Sequence, residues 1–172
     1  SDSEFEIRYF DFFDLPGVSS SSSGWAFQGS VSGYNSGGQF PALTPVKGNI
    51  IDKFPFVSDS NATDVGDLTV ARSGTAGQSS DVSGYASGGY DSSTESNVIE
   101  KFPFASDTDA TDVGDLTLGR YKGTGQSSEA YGYTSGGTGP YPLDHFTIDK
   151  FPFTSDANAT DVGDLTQNRG FL

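Results

Sequence analysis

The residues best suited to chemistry are acids that recur at a fixed spacing. Asp59, Asn61, Thr63, Asp64 and Asp67 place oxygen-bearing side chains at relative positions 1, 3, 5, 6 and 9 of one segment. Asp107, Asp109, Thr111, Asp112 and Asp115 repeat that pattern, and Asp156, Asn158, Thr160, Asp161 and Asp164 repeat it again. Calcium takes six to eight oxygen ligands from loops with this kind of spacing, so it is the one cofactor the sequence offers. The segments depart from familiar calcium loops: position 5 is not acidic, Gly stands at position 8 rather than 6, and no bidentate Glu closes the loop. The plainer reading is that these Asp, Asn and Thr side chains bond nearby backbone and shape turns between strands.

Other chemistries have less to stand on. The chain has no Cys and one His, which excludes thiolate nucleophiles, Fe–S clusters, disulfides and His-rich metal sites. His145 follows Asp144 in the most variable part of the chain and reads as a surface-loop histidine, because a triad is defined by geometry. Acid pairs for glycoside hydrolysis are present, but near-identical acids in three places suit a structural role better than one asymmetric site. No enzymatic activity is therefore expected.

Lys53, Lys101 and Lys150 each follow an acid, namely Asp52, Glu100 and Asp149. Together with Arg72, Arg120 and Arg169 they make up six of the nine basic residues, so they are not scattered solvating groups. Ion pairs between units, and hydrogen bonds from the arginines to neighbouring loops, are the structural reading; a ligand-binding ring of arginines is the functional one. Tyr34, Tyr85 and Tyr133 read as packing residues, with glycan stacking as the alternative. Asn61-Ala-Thr63 and Asn158-Ala-Thr160 are glycosylation sequons that internal repetition alone explains.

The elements that position these residues are copies of one unit. Residues 51–69, 99–117 and 148–166 are nearly identical, with their lysines 48 and 49 residues apart. A Gly-Tyr-x-Ser-Gly-Gly motif recurs at 33–38, 84–89 and 132–137. Gln-Ser-Ser recurs at 78–80 and 126–128, with Gln28 as a looser first copy. Ile7, Phe10 and Phe12 match the spacing of Ile51, Phe54 and Phe56. The chain therefore divides into a partial unit at 1–15 and units at 16–69, 70–117 and 118–172, about 3.5 repeats in all.

Gly, Ser and Pro interrupt every stretch, and no 3.6-residue apolar period is sustained, which argues against helix. Short aromatic and β-branched runs between turn residues predict an all-β chain with four strands per unit. These strands fall around Gln-Ser-Ser, on the Gly-Tyr segment, on Ile-x-Lys-Phe-Pro-Phe and on Gly-Asp-Leu-Thr. Pro55, Pro103 and Pro152 are expected at strand ends, since proline cannot donate to a ladder.

The unit resembles a kelch repeat. The carrying residues are the double glycine Gly88-Gly89, the strand Ile99-Glu100-Lys101-Phe102, and Arg120 opening the next unit. The usual Trp after the acidic turn is absent, and Val65, Val113 and Val162 or the following Leu stand near its place. The resemblance covers nearly the whole chain and implies four-stranded antiparallel blades of a β-propeller. The repeats are also similar to those in structural proteins of marine tailed bacteriophages, which implies a virion or an extracellular appendage.

A net charge of −14, from 23 acidic and 9 basic residues, disfavours a nucleic-acid partner. No apolar run is long enough to cross a bilayer, and the acidic N-terminal segment lacks a signal-peptide pattern. The sequence thus points to a structural or adhesive module that assembles with copies of itself or with other structural proteins. A lectin-like propeller that binds glycans is the competing class. Too few repeats are present for an ordinary ring, so the chain is not expected to persist as an isolated monomer.

Overall fold

In the computed structural model the described residues are 31–40, 46–140 and 145–170. They form three antiparallel sheets and no helix. The first contains β1 (Ser32–Phe40), β2 (Val46–Pro55) and β3 (Thr63–Asp67). The second contains β4 (Ala76–Ser79), β5 (Ser83–Ser87), β6 (Val98–Pro103) and β7 (Thr111–Asp115). The third contains β8 (Thr124–Ser127), β9 (Tyr131–Ser135), β10 (Thr147–Pro152) and β11 (Thr160–Asp164). In each sheet the strands lie side by side in chain order. The looser first copy at Gln28 and the partial unit at 1–15 lie outside the described residues, and the first sheet shows three strands among them.

The repeated residues occupy repeated places. Lys53, Lys101 and Lys150 stand opposite Tyr34, Tyr85 and Tyr133 on one side, and opposite Thr63, Thr111 and Thr160 on the other. Pro55, Pro103 and Pro152 each end a strand. The fourth strand differs from expectation. It runs over Thr-Asp-Val-Gly-Asp rather than Gly-Asp-Leu-Thr, because the strand ends where Thr69 turns to the next sheet. The Leu68 amide still bonds the Asn49 carbonyl of its own sheet at 2.7 Å while its side chain enters the core between sheets, and Thr69 reaches a carboxylate of the second sheet.

Alternation along the third strand of each unit explains its composition. Successive residues point to opposite faces, so Ile99 and Lys101 face the third sheet while Glu100 and Phe102 face the first. The apolar core accordingly lies between sheets. One cluster joins Ile51 and Leu68 to Ala86, Phe102 and Ala110. The next joins Tyr85, Ile99 and Leu116 to Phe151 and Ala159. Tyr34 packs on Phe102 and Phe104 at 5.5 and 4.8 Å, and Tyr85 packs on Phe151 and Phe153 at 5.5 and 4.9 Å.

The double glycine has a physical reason. Gly88 has φ +66°, and a Cβ there would lie 2.4 Å from the Arg120 carbonyl oxygen. The neighbouring Gly89 amide donates to that same oxygen at 2.8 Å. A side chain would strain the backbone and break the approach of the segment leading into the next sheet. Among the described residues the three sheets form no closed ring. No helix there is long and apolar enough to cross a membrane.

Candidate functional site

The groups repeated from unit to unit converge on the two sheet-to-sheet boundaries. At the first boundary, Arg72 Nη2 donates to Glu100 Oε2 at 2.6 Å. Arg72 is 1% exposed and Glu100 0%. The same guanidinium bonds the Ala86 carbonyl at 3.3 Å. The other Glu100 oxygen accepts from the Thr69 amide at 2.6 Å and from the Thr69 hydroxyl. At the second boundary, Arg120 Nη2 donates to Asp149 Oδ2 at 2.7 Å and to the Thr134 carbonyl at 3.1 Å. The Thr117 amide and hydroxyl complete the shell of Asp149 at 2.9 and 2.7 Å. Burial pushes both guanidinium groups down from their usual value, and the facing carboxylates oppose that shift. Hydrogen bonds to the remaining donors and acceptors offset the desolvation of such a pair. Here the threonines satisfy the acid, while Arg72 Nε and Arg120 Nε and Nη1 are buried without a hydrogen-bond partner among the described residues.

Each acid is therefore buried by one neighbour and matched by the arginine that follows the previous sheet. The ion pairs between units expected from the sequence are present, but the arginines reach strand carboxylates rather than loops, and the lysines reach the acids of the neighbouring loops. Glu100 and Lys101 project to opposite faces, so they serve different boundaries. Lys53 pairs with Asp107 at 3.2 Å and Lys101 with Asp156 at 2.5 Å. The hydrogen bond to Asp107 raises the Lys53 ammonium above its usual range.

The acidic segments supply the rest of each boundary. Asp109 Oδ1 accepts from the Asp67 amide at 3.0 Å, and Asn158 Oδ1 accepts from the Asp115 amide at 3.1 Å. The Asp67 and Asp115 carbonyls in turn accept from the Ala110 and Ala159 amides. Asp64, Asp112 and Asp161 each accept locally, from the amides of Gly66, Gly114 and Gly163. Asp59, Asn61 and Asp164 are exposed. Among the described residues no three His, Cys, Asp or Glu side chains come together as a metal-binding group. The oxygens proposed for calcium thus mainly meet amides and lysines. EDTA is expected to leave the melting temperature unchanged at low salt. A melting temperature lowered by EDTA and restored by calcium would assign these segments to the ion instead, because a ligand of the folded state stabilises by mass action.

Polar contacts join β4 to β5 and β9, and the Ser79 amide of β4 donates to Ser127 Oγ of β8 at 2.9 Å. Gln78 Nε2 donates to Ser87 Oγ, Thr134 Oγ1 and the Tyr133 carbonyl, all within 2.9 Å. The backbones come so close here that a Cβ on Gly125 would lie 2.0 Å from the Gly77 carbonyl oxygen. Thr69, Thr117, Ser87 and Thr134 were not singled out in the sequence. Thr69, Thr117 and Ser87 carry a positional signal, since each recurs at a fixed offset from a repeated Arg, Leu or double Gly; Thr134 carries none, because its counterparts are Asn35 and Ala86.

Between the first and second sheets lies a cleft of about 270 Å³ lined by Tyr34, Phe56, Gln78, Tyr85 and Phe104 among others. His145 sits beside Gly139, and its amide donates to the Gly137 carbonyl at 2.8 Å.

No protein-family model matches the chain, and no curated protein matches it. The structure is similar to the solved structure of YjhT, with a TM-score of 0.66 and 11% identity, over 81% of this chain and 51% of that one. The chain thus spans about half the length of the structure it matches. At that identity the likeness concerns the fold alone, and an all-β stack of antiparallel sheets is what the two chains have in common.

Proposed function

We propose that this chain is a non-enzymatic structural or adhesive module that acts by protein–protein assembly. Its sheets are blades of a kelch-like β-propeller, and its setting is a virion or an extracellular appendage. One observation carries the reading: side chains at repeated polar positions join one sheet to the next. Arg72, Lys53 and Asp109 act at one boundary as Arg120, Lys101 and Asn158 act at the other. Side chains copied for this purpose serve stacking, and stacking is the property that an assembly module needs.

The test is the mass and composition of the native assembly that contains the chain. A multi-protein particle holding a fixed number of copies is expected. The competing reading, a glycan-binding module, draws support from the cleft lined by Tyr34, Phe56 and Tyr85. Recovery of a free chain that binds on a glycan array, and loses binding on Tyr34→Ala, would favour that reading over assembly.

A further inference from the structure

Among the described residues, the outer faces of the first and third sheets carry the repeat positions that are covered at the boundaries between sheets. On the outer face of the first sheet, among the described residues, Phe54 is 38% exposed where its equivalents Phe102 and Phe151 are 5% and 1% exposed, and Phe56 is 53% exposed where Phe104 and Phe153 are half-buried. Toward its open side the third sheet presents Val162, 46% exposed, where Val65 and Val113 pack against a core. Ile148 and Leu165 are half-buried, but Ile51, Ile99, Leu68 and Leu116 are at most 2% exposed.

The polar groups divide in the same way. Asp52 occupies the place of Glu100 and Asp149, and among the described residues it has no arginine. Arg169 occupies the place of Arg72 and Arg120; it is exposed and has no carboxylate among those residues. Lys150 has no acid there either and lies over the Tyr131 ring at 4.7 Å, while Asp59 stands exposed in the place of Asp107 and Asp156.

We infer that the open face of the third sheet docks on the open face of the first sheet of a second copy of this chain, with Arg169 pairing with Asp52. This deepens the assembly reading and rests on it. Repeat equivalence dictates the remaining contacts. Lys150 meets Asp59, Tyr133 covers Phe54 and Phe56, and Thr166 donates to Asp52. The occupant must therefore carry the outer face of such a unit, and the chain itself carries one. The overall charge of −14 opposes approach, but salt screens that repulsion beyond about 8 Å. At the contact the signs are opposite.

The test uses the purified full chain in sedimentation at physiological salt. The wild type is expected to sediment above the mass of one chain at micromolar concentration. Asp52→Arg and Arg169→Asp should each weaken association about 100-fold or more, and the double variant should restore most of it, because the pair is then re-formed with its signs exchanged. Circular dichroism checks that each variant folds. A second measurement does not depend on these variants: the chain has no cysteine, so Asp59→Cys and Lys150→Cys can be mixed and treated with a short bismaleimide. Cross-linking only between the two different variants is expected. A wild type that sediments as one chain, a double variant no better than the singles, or cross-links within one variant would overturn the pairing. Any of those results would leave assembly with other proteins to be judged by the native particle.

Discussion

Glu100→Ala should lower the unfolding free energy by about 3–5 kcal/mol, a large part of the ~5–15 kcal/mol that holds a domain together. The side chain is 0% exposed and faces a guanidinium that is 1% exposed. Its removal leaves the Arg72 charge buried without its counterion and orphans the Thr69 amide and hydroxyl. Glu100→Gln should also be costly, since it retains an acceptor for Thr69 but not the charge. Replacing both partners, as in R72M/E100M, should recover much of the loss, because well-packed apolar pairs often match a buried ion pair. Urea unfolding with a constant m-value measures all three. Equal losses for E100A and the double replacement would show that the effect comes from packing rather than the uncompensated charge.

Phe151→Ala should cost about 3–5 kcal/mol, as expected for a large aromatic removed from a closed core. Phe151 is 1% exposed, touches the Tyr85 ring, and lies over Gly132, where a Cβ would be 2.4 Å from its ring. The cavity cannot collapse readily, because the glycine leaves no side chain to fill it. Phe54 has the same sequence neighbours and sits over Gly33 in the same way, yet it is 38% exposed. Phe54→Ala should cost only about 1 kcal/mol in the dissociated chain, since much of that ring is already hydrated. Three near-identical sequence segments would then give unequal losses, and the difference reports which face of which sheet is covered. Equal losses at Phe54 and Phe151 in dilute unfolding experiments would contradict the open first face.

The repetition makes much of this legible in the sequence. Lys53, Lys101 and Lys150 identified one strand in each unit, and the prolines marked where it stops. What one unit could not reveal was its partner across the boundary. Glu100 and Lys101 are adjacent in sequence, so they look like a local pair until strand alternation sends them to different neighbours. The Thr-Asp-Val-Gly-Asp strand was placed too late for a related reason. Leu68 and Thr69 look like strand residues, but the Leu68 side chain belongs to the core between sheets and Thr69 bonds the next sheet. The acidic segments were the hardest to read, because the same oxygens that could ligate calcium can also accept amides, and composition does not separate the two.

The direction of the Arg72–Glu100 pair also governs how the chain can be made. The arginine precedes its acid by 28 residues, and Arg120 precedes Asp149 by 29. At ordinary rates of translation that interval is roughly 1–6 s. When the carboxylate leaves the ribosome, the sheet that will neutralise it has already been synthesised. The nascent chain can therefore add each sheet to a finished edge, and no buried acid has to wait for a partner encoded downstream.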